Sequence, residues 1–208
     1  VEGLEKPMVI RDIEERDNNA FAVPDKMAVS EIEKVADKAI ADMDSIGGVI
    51  ECVVKGMPVG IGETVFDKLD ANISKAVMSI GATKGIEIGA GFEVASSYGS
   101  INNDEFTVSD GAIIKNTNYS GGVLGGMSDG SDIVFRTAVK PTPSIARTQN
   151  TVNKDNENIQ INIKGRHDPI IVPRAVVVVE AMTACTIVDM LLANMSAKME
   201  NLMKVYGK

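Results

Sequence analysis

Gly48-Val49-Ile50-Glu51-Cys52-Val53-Val54 and Lys84-Gly85-Ile86-Glu87-Ile88 bracket the stretch that decides the fold class. The first run is β-rich, with Ile50, Cys52 and Val54 on one face and Glu51 on the other. A loop with three glycines and Pro58 follows, from Lys55 to Gly62. Thr64 and Asp67 then mark a helix start. Phe66, Leu69, Ile73, Ala76, Val77 and Ile80 recur at helical period on one side, and Gly81 ends the run. The order is strand, helix, strand. Whether the two strands lie parallel stays open at this point.

Outward from this stretch, residues 1–29 read as a linker or edge segment punctuated by Pro7, Asn18, Asn19 and Pro24. Residues 30–208 read as the folded part. Ser30 and Glu33 have capping-box spacing, and Ile32, Val35, Ala39, Ile40 and Met43 form an apolar stripe until Gly47-Gly48. Gly89 to Gly111 reads as a long exposed loop. Ile133 to Val139 reads as a strand, and Asn158 to Lys164 as a half-buried strand with Ile159, Ile161 and Ile163 on one face. The longest helix follows Ala175–Val179. Its Cys185, Val188, Leu192, Met195, Met199 and Leu202 step by threes and fours as a seam, which suits packing either on the chain's own sheet or on another subunit.

The formal net charge is −8. That argues against nucleic acid and anionic membrane as partners. No uninterrupted apolar run reaches the eighteen or so residues of a membrane span, and no charged-then-apolar leader is visible, so a cytoplasmic location is expected. Cys52 and Cys185 read as reduced, buried thiols. The chain opens on Val1 without a methionine, which reads as a piece of a longer polypeptide.

Three motifs carry chemistry. Asn118-Tyr119-Ser120-Gly121-Gly122-Val123-Leu124-Gly125-Gly126-Met127-Ser128-Asp129-Gly130 offers backbone amides to an anion, or serves tight turns and close packing. It lacks the Lys-Ser/Thr ending of a P-loop. Lys140-Pro141-Thr142-Pro143-Ser144 is a proline-stiffened turn, or a rigid ledge with a cation, two hydroxyls and two amides for a ribityl or phosphate group. Gly165-Arg166-His167-Asp168-Pro169 joins a cation, the chain's one histidine and a carboxylate. It is a charged loop with an internal ion pair, or an anion fork beside a base. No nucleophilic triad can be assembled, and metal ligation is not indicated.

Thr117 to Gly130, Ile133 to Ile145 and Gly165 to Leu192 resemble the signature blocks of the chorismate synthase family. Phe66-Asp67-Lys68-Leu69-Asp70, Met78-Ser79-Ile80 and Lys84 to Gly89 resemble it too. The resemblance implies an α+β fold, a β-α-β sandwich of helices packed against sheets. It implies a trans-1,4 elimination of phosphate from 5-enolpyruvylshikimate 3-phosphate to give chorismate, with reduced FMN required. It places FMN contacts on Gly81, Ala82, Gly125, Lys140, Pro141, Thr142, Pro143, Ser144 and Arg166. Arg166 also falls near the substrate, and Asp168 near flavin N5 as the catalytic carboxylate. Gly81 departs from the family, where many members carry asparagine. The family's N-terminal part, with its two histidines and most substrate-clamping arginines, has no counterpart here, so the chain alone is expected to be inactive. A homotetramer is implied, and an NADPH-dependent flavin reductase activity occurs in some members. Two other readings stay open: an inactive assembly module, and a generic phosphate-ligand binding domain.

Overall fold

The computed structural model describes residues 13–165 and 167–207. In chain order the elements are α1 (Ile13–Asp17), α2 (Lys26–Ala41), β1 (Gly48–Val54), α3 (Leu69–Met78) and β2 (Thr83–Ile88). A 3-10 helix (Gly91–Ser96), α4 (Gly99–Asn102), β3 (Phe106–Ser109) and β4 (Ala112–Lys115) follow. Then come β5 (Val123–Leu124), β6 (Met127–Ser128), β7 (Ile133–Val139), β8 (Gln149–Val152), β9 (Asn158–Ile161), α5 (Val172–Ser196) and α6 (Met199–Tyr206). Helices and strands mix along the chain, as an α+β fold requires.

The chain divides into two compact units, residues 1–49 with 139–177 and residues 50–138 with 178–208. The second holds most of the core. Its sheet has the order β1-β7-β2. The two strands read as flanking one helix are therefore not neighbours; β7 separates them. Ile133, Phe135 and Thr137 of β7, Leu69, Ile73 and Val77 of α3, and Val179 of α5 are fully buried. Each of the apolar ones contributes about 1.5–3 kcal/mol by leaving water. The hydroxyl of Thr137 is accommodated because it donates to the carbonyl of Gly85 on β2 at 2.9 Å.

Several sequence readings shift. The helix placed at Ser30 begins at Lys26, because Asp25 rather than Ser30 caps it, accepting from the Met27 amide at 2.8 Å. Its buried residues are Ala36 and Ala39, while Val35, Ile40 and Met43 are exposed. Helix α3 starts at Leu69 instead of near Asp67, so Phe66 lies outside it and is exposed. The stretch Gly89–Gly111 carries two short helical turns and β3, which pairs with β4 from Phe106↔Lys115 to Ser109↔Ala112. Strand β9 pairs with β8 as a hairpin with exposed faces, so Ile159 and Ile161 are not half-buried as the alternation suggests.

Residues Ala175–Val179 belong to α5 itself, which runs unbroken for 25 residues. By length and composition α5 is apolar enough to cross a membrane, despite the charged side chains of Glu180 and Asp189. One of its faces is used: Val179, Thr183, Ile187 and Met190 are buried. Cys185 is exposed, contrary to the expectation of a buried thiol, and Cys52 is half-buried.

Candidate functional site

The first unit holds Lys140-Pro141-Thr142-Pro143-Ser144, which follows β7 directly in the chain. Proline fixes φ at two of these five positions, so the turn is stiff before any contact is made. It is also held from behind. Ser45 Oγ donates to the Thr142 carbonyl at 2.6 Å, and Gln149 Nε2 donates to the Pro143 carbonyl at 3.3 Å. Asp44 accepts from the Ser45 amide at 2.8 Å and pairs with Arg147 at 2.7 Å. The Ser45 amide and then the Arg147 guanidinium hold the Asp44 carboxyl below its ordinary range.

The side chain of Thr142 behaves differently from its backbone. Its Oγ1 is shielded from solvent and has no hydrogen-bond partner. A buried hydroxyl without a partner costs about 1–3 kcal/mol, so the position is stabilised only when something supplies one. Lys140 is exposed and makes no ion pair among the described residues. A rigid turn with a shielded, unpartnered hydroxyl and a lysine is a donor set suited to a phosphorylated or polyhydroxylated ligand.

Asp168 lies in the same unit. Ile46 donates to the Pro169 carbonyl at 2.8 Å and forms an isolated parallel bridge with Ile170. Consecutive residues Ser45 and Ile46 therefore tie the Lys140–Ser144 turn and the Asp168–Ile170 segment to one backbone, and adjacent Cα atoms are only ~3.8 Å apart. Asp168 accepts from Arg174 Nη1 at 2.8 Å, and the pair is partly exposed. His167 Nε2 lies 2.9 Å from the Ile163 carbonyl. Arg166, read as the anion fork, lies outside the described residues. Sequence reading missed Ser45 and Arg174. Their signals, a serine after an aspartate and an arginine at a helix start, are too common to single out.

In the second unit, Gly125 and Gly126 form the two-residue turn between β5 and β6, with φ of 58° and 89°. Both lie in the left-handed region, as a type I′ hairpin turn demands. Leu69 donates to the Gly126 carbonyl at 2.8 Å, so the hairpin caps α3, whose N-cap Lys68 makes no side-chain bond. A Cβ on Gly126 would strike Lys68, whereas one on Gly125 would meet nothing within 4 Å. Gly125 thus has open space above it.

Gly81 and Ala82 lie beyond the other end of α3, with ten residues of helix between. That is roughly 15 Å of rise, so no single small anion touches both ends. Gly81 also has open space where a side chain would stand. Ala82 is left-handed at φ 71°, and Thr83 beside it is buried with Oγ1 unpartnered. Thr83 was not read as a site residue. It is the second of only two such hydroxyls among the described residues.

The rest of the glycine loop is not an anion cradle. Asp104 accepts from the amides of Tyr119 and Ser120 at 2.7 and 2.9 Å and from Thr117 Oγ1 at 2.8 Å. Asn118 Oδ1 accepts from the Gly122 amide at 2.8 Å, and Gly121 donates to the Asn118 carbonyl at 3.1 Å. Those amides are already bonded. A Cβ on Gly121 would collide with the backbone of Gly89 and Val134, so close packing explains that glycine.

Lys115 Nζ anchors this knot, 2.6 Å from Asp129 and 3.3 Å from Asp104, with all three side chains at most 6% exposed. Burial raises the Asp104 pKa, but the Ser120 amide, Thr117 hydroxyl and Tyr119 amide outweigh it and lower it to about 2. Asp129 is lowered as well: Lys115 and the Ser131 amide overcome its burial. No group of three or more His, Cys, Asp or Glu among the described residues could hold a metal ion.

The chorismate synthase family model matches residues 4–192. Chorismate synthase of Lachnospira eligens is 61% identical over 197 residues, covering 95% of this chain and 54% of that relative. The Methanosarcina barkeri chorismate synthase is 52% identical over 192 residues, covering 90% and 52%. A solved structure described as a crystal structure of chorismate synthase superposes with TM-score 0.73 at 32% identity, covering 92% of this chain and 51% of that one. The chain spans about half the length of the curated relatives it matches. With residues 4–192 matched and the fold shared, the chain belongs to the chorismate synthase family.

Proposed function

We propose that this chain is the flavin-holding part of a chorismate synthase, a lyase of chorismate and aromatic amino acid biosynthesis. The reaction is the trans-1,4 elimination that takes 5-enolpyruvylshikimate 3-phosphate to chorismate and phosphate. The observation that carries the reading is Thr142 Oγ1, shielded and unpartnered in a turn whose Thr142 and Pro143 carbonyls are bonded. Lys140, Thr142 and Ser144 hold the phosphate or ribityl part of FMN, and Pro141 and Pro143 keep that donor set rigid. Gly81, Ala82 and Gly125 are further flavin contacts, and the space over Gly81 and Gly125 is compatible with that role.

Reduced FMN, when bound, lends electron density to the C–O bond that breaks. Asp168, oriented by Arg174, takes part in moving the proton lost from C6. Arg166 binds both phosphorylated ligands. The histidine acids and most substrate-clamping arginines that the resemblance assigns to the family's N-terminal part are not in this chain, so the chain alone turns over negligibly. In the assembled enzyme the protein is a cytoplasmic homotetramer, and NADPH serves as reductant where flavin reductase activity is present.

A flavin titration of the chain under reducing conditions tests this reading. Saturable FMN binding lost in Lys140→Ala and Arg166→Ala supports it. Equal binding of unrelated phosphate esters, with no preference for flavin, contradicts it.

A further inference from the structure

Asp168 sits in a closed circuit of contacts, and His167 is the link beside it. The circuit starts at the carbonyl of Pro169, which accepts from the Ile46 amide at 2.8 Å. Two residues back along that backbone, Asp44 pairs with Arg147 at 2.7 Å. Next to Arg147, the Ala146 carbonyl accepts from Asn162 Nδ2 at 2.8 Å. Next to Asn162, the Ile163 carbonyl lies 2.9 Å from His167 Nε2. His167 and Pro169 flank Asp168 in the chain, so the circuit clamps the backbone on both sides of the carboxylate. All of these residues belong to one compact unit.

The His167 link has a fixed chemistry. A carbonyl oxygen only accepts, so Nε2 carries the hydrogen. In the neutral ring the lone pair then lies on Nδ1. The other hold on Asp168 is Arg174, whose Nη1 donates to Oδ2 at 2.8 Å. Those two side chains are 71% and 35% exposed, Arg174 the more open. An ion pair so open to water contributes little, and it grips one oxygen without fixing the backbone that carries it.

We infer that His167 is a positioning residue: its Nε2–H bond to the Ile163 carbonyl closes the circuit and keeps the Asp168 carboxylate in place to serve the flavin. The imidazole donates one hydrogen bond in this role and transfers no proton. The inference rests on the flavin reading above, which puts Asp168 beside flavin N5. A carboxylate there discriminates between the two redox states. Reduced flavin carries a hydrogen on N5 and donates it to the carboxylate, whereas oxidised flavin presents a lone pair that the carboxylate repels. The ratio of affinities for reduced and oxidised FMN therefore reports where Asp168 stands. Loss of a tether that supports only the fold would move both affinities together.

The test joins that ratio to two substitutions of unequal reach. His167→Gln carries its amide nitrogen as far from Cα as Nε2, whereas His167→Asn reaches only as far as Nδ1. Titrations of the chain with reduced and with oxidised FMN should show the ratio falling about fivefold in His167→Asn and returning to the parent value in His167→Gln. In an Asp168→Ala background, His167→Asn should leave the ratio unchanged. The chain holds one histidine, so nitrogen NMR of histidine-labelled protein at mildly alkaline pH reads its tautomer directly, and hydrogen on Nε2 is expected. Hydrogen on Nδ1, a ratio that His167→Asn does not move, or a Gln variant as impaired as the Asn variant would overturn the inference and leave the flavin reading intact. A parent chain that binds FMN in neither redox state would overturn the flavin reading, and this inference with it.

Discussion

Ser45 Oγ donates to the carbonyl of Thr142 at 2.6 Å across 97 residues of chain, and its neighbour Ile46 donates to the carbonyl of Pro169. One short backbone segment thus positions both the proline-stiffened turn and the Asp168 segment. Ser45→Ala removes a single hydrogen bond and leaves the Thr142 carbonyl without that donor. It should lower stability by about 1 kcal/mol and weaken FMN binding severalfold. Urea unfolding and flavin titration on the same variant read both.

The two unpartnered hydroxyls make an opposite prediction for stability. Thr83→Val keeps side-chain volume and removes a buried oxygen that lacks a partner. The variant should be more stable than the parent by about 1 kcal/mol, read as a rise in the thermal midpoint. A fall of similar size would mean that the hydroxyl is satisfied within the fold.

Lys115 pairs with two buried carboxylates at once. Lys115→Met leaves Asp104 and Asp129 facing each other without a cation and should destabilise by roughly 3 kcal/mol or more. Asp129→Asn retains the Asp104 pair and should cost less. Denaturant midpoints of the two variants check the order.

Acid should act through the same knot. The Asp104 pKa is depressed from 3.8 to about 2, so the folded state binds its proton less readily than the unfolded chain. The stability it contributes is fully present above pH ~4–5 and is lost as pH falls from there toward 2. Asp129 shifts in the same direction. Asp104→Asn should flatten the acid limb of a stability-against-pH curve and lower the plateau at neutral pH.

The glycines should separate by role. Gly125→Ala has room for its methyl but must hold φ near 58°, which costs about 1 kcal/mol. Gly121→Ala meets the backbone of Gly89 and Val134 as well and should be far more damaging. Thermal midpoints of the two variants, with flavin affinity for Gly125→Ala, test the distinction.

Much of the fold was legible in local pattern. The strand Ile133–Val139 matches β7 residue for residue, because Ile133, Val134, Phe135, Thr137 and Val139 are β-branched or aromatic residues that favour strands. Helix α3 shows Leu69, Ile73 and Val77 buried as its period predicts. What failed was set by tertiary contact. The start of α3 depends on the Gly126 carbonyl, which local sequence cannot announce. Of the two packings the α5 seam suits, the one on the chain's own sheet is not seen: Val179, Thr183, Ile187 and Met190 face the core instead. The same holds for the site. Lys140 to Ser144 stands out by its prolines, whereas the choice between anion cradle and tight turn in the glycine loop turns on Asp104 and Asn118, whose side chains occupy its amides.

The measurement that bears most directly on the flavin reading is a paired determination on Thr142→Val: affinity for reduced FMN and thermal midpoint without ligand. A hydroxyl kept for a ligand predicts roughly tenfold weaker FMN binding, the loss of one hydrogen bond of about 1.4 kcal/mol, together with an unchanged or higher midpoint. Unchanged FMN affinity with a lower midpoint would show that Thr142 serves the fold alone, and would contradict the assignment of this turn as the flavin ledge.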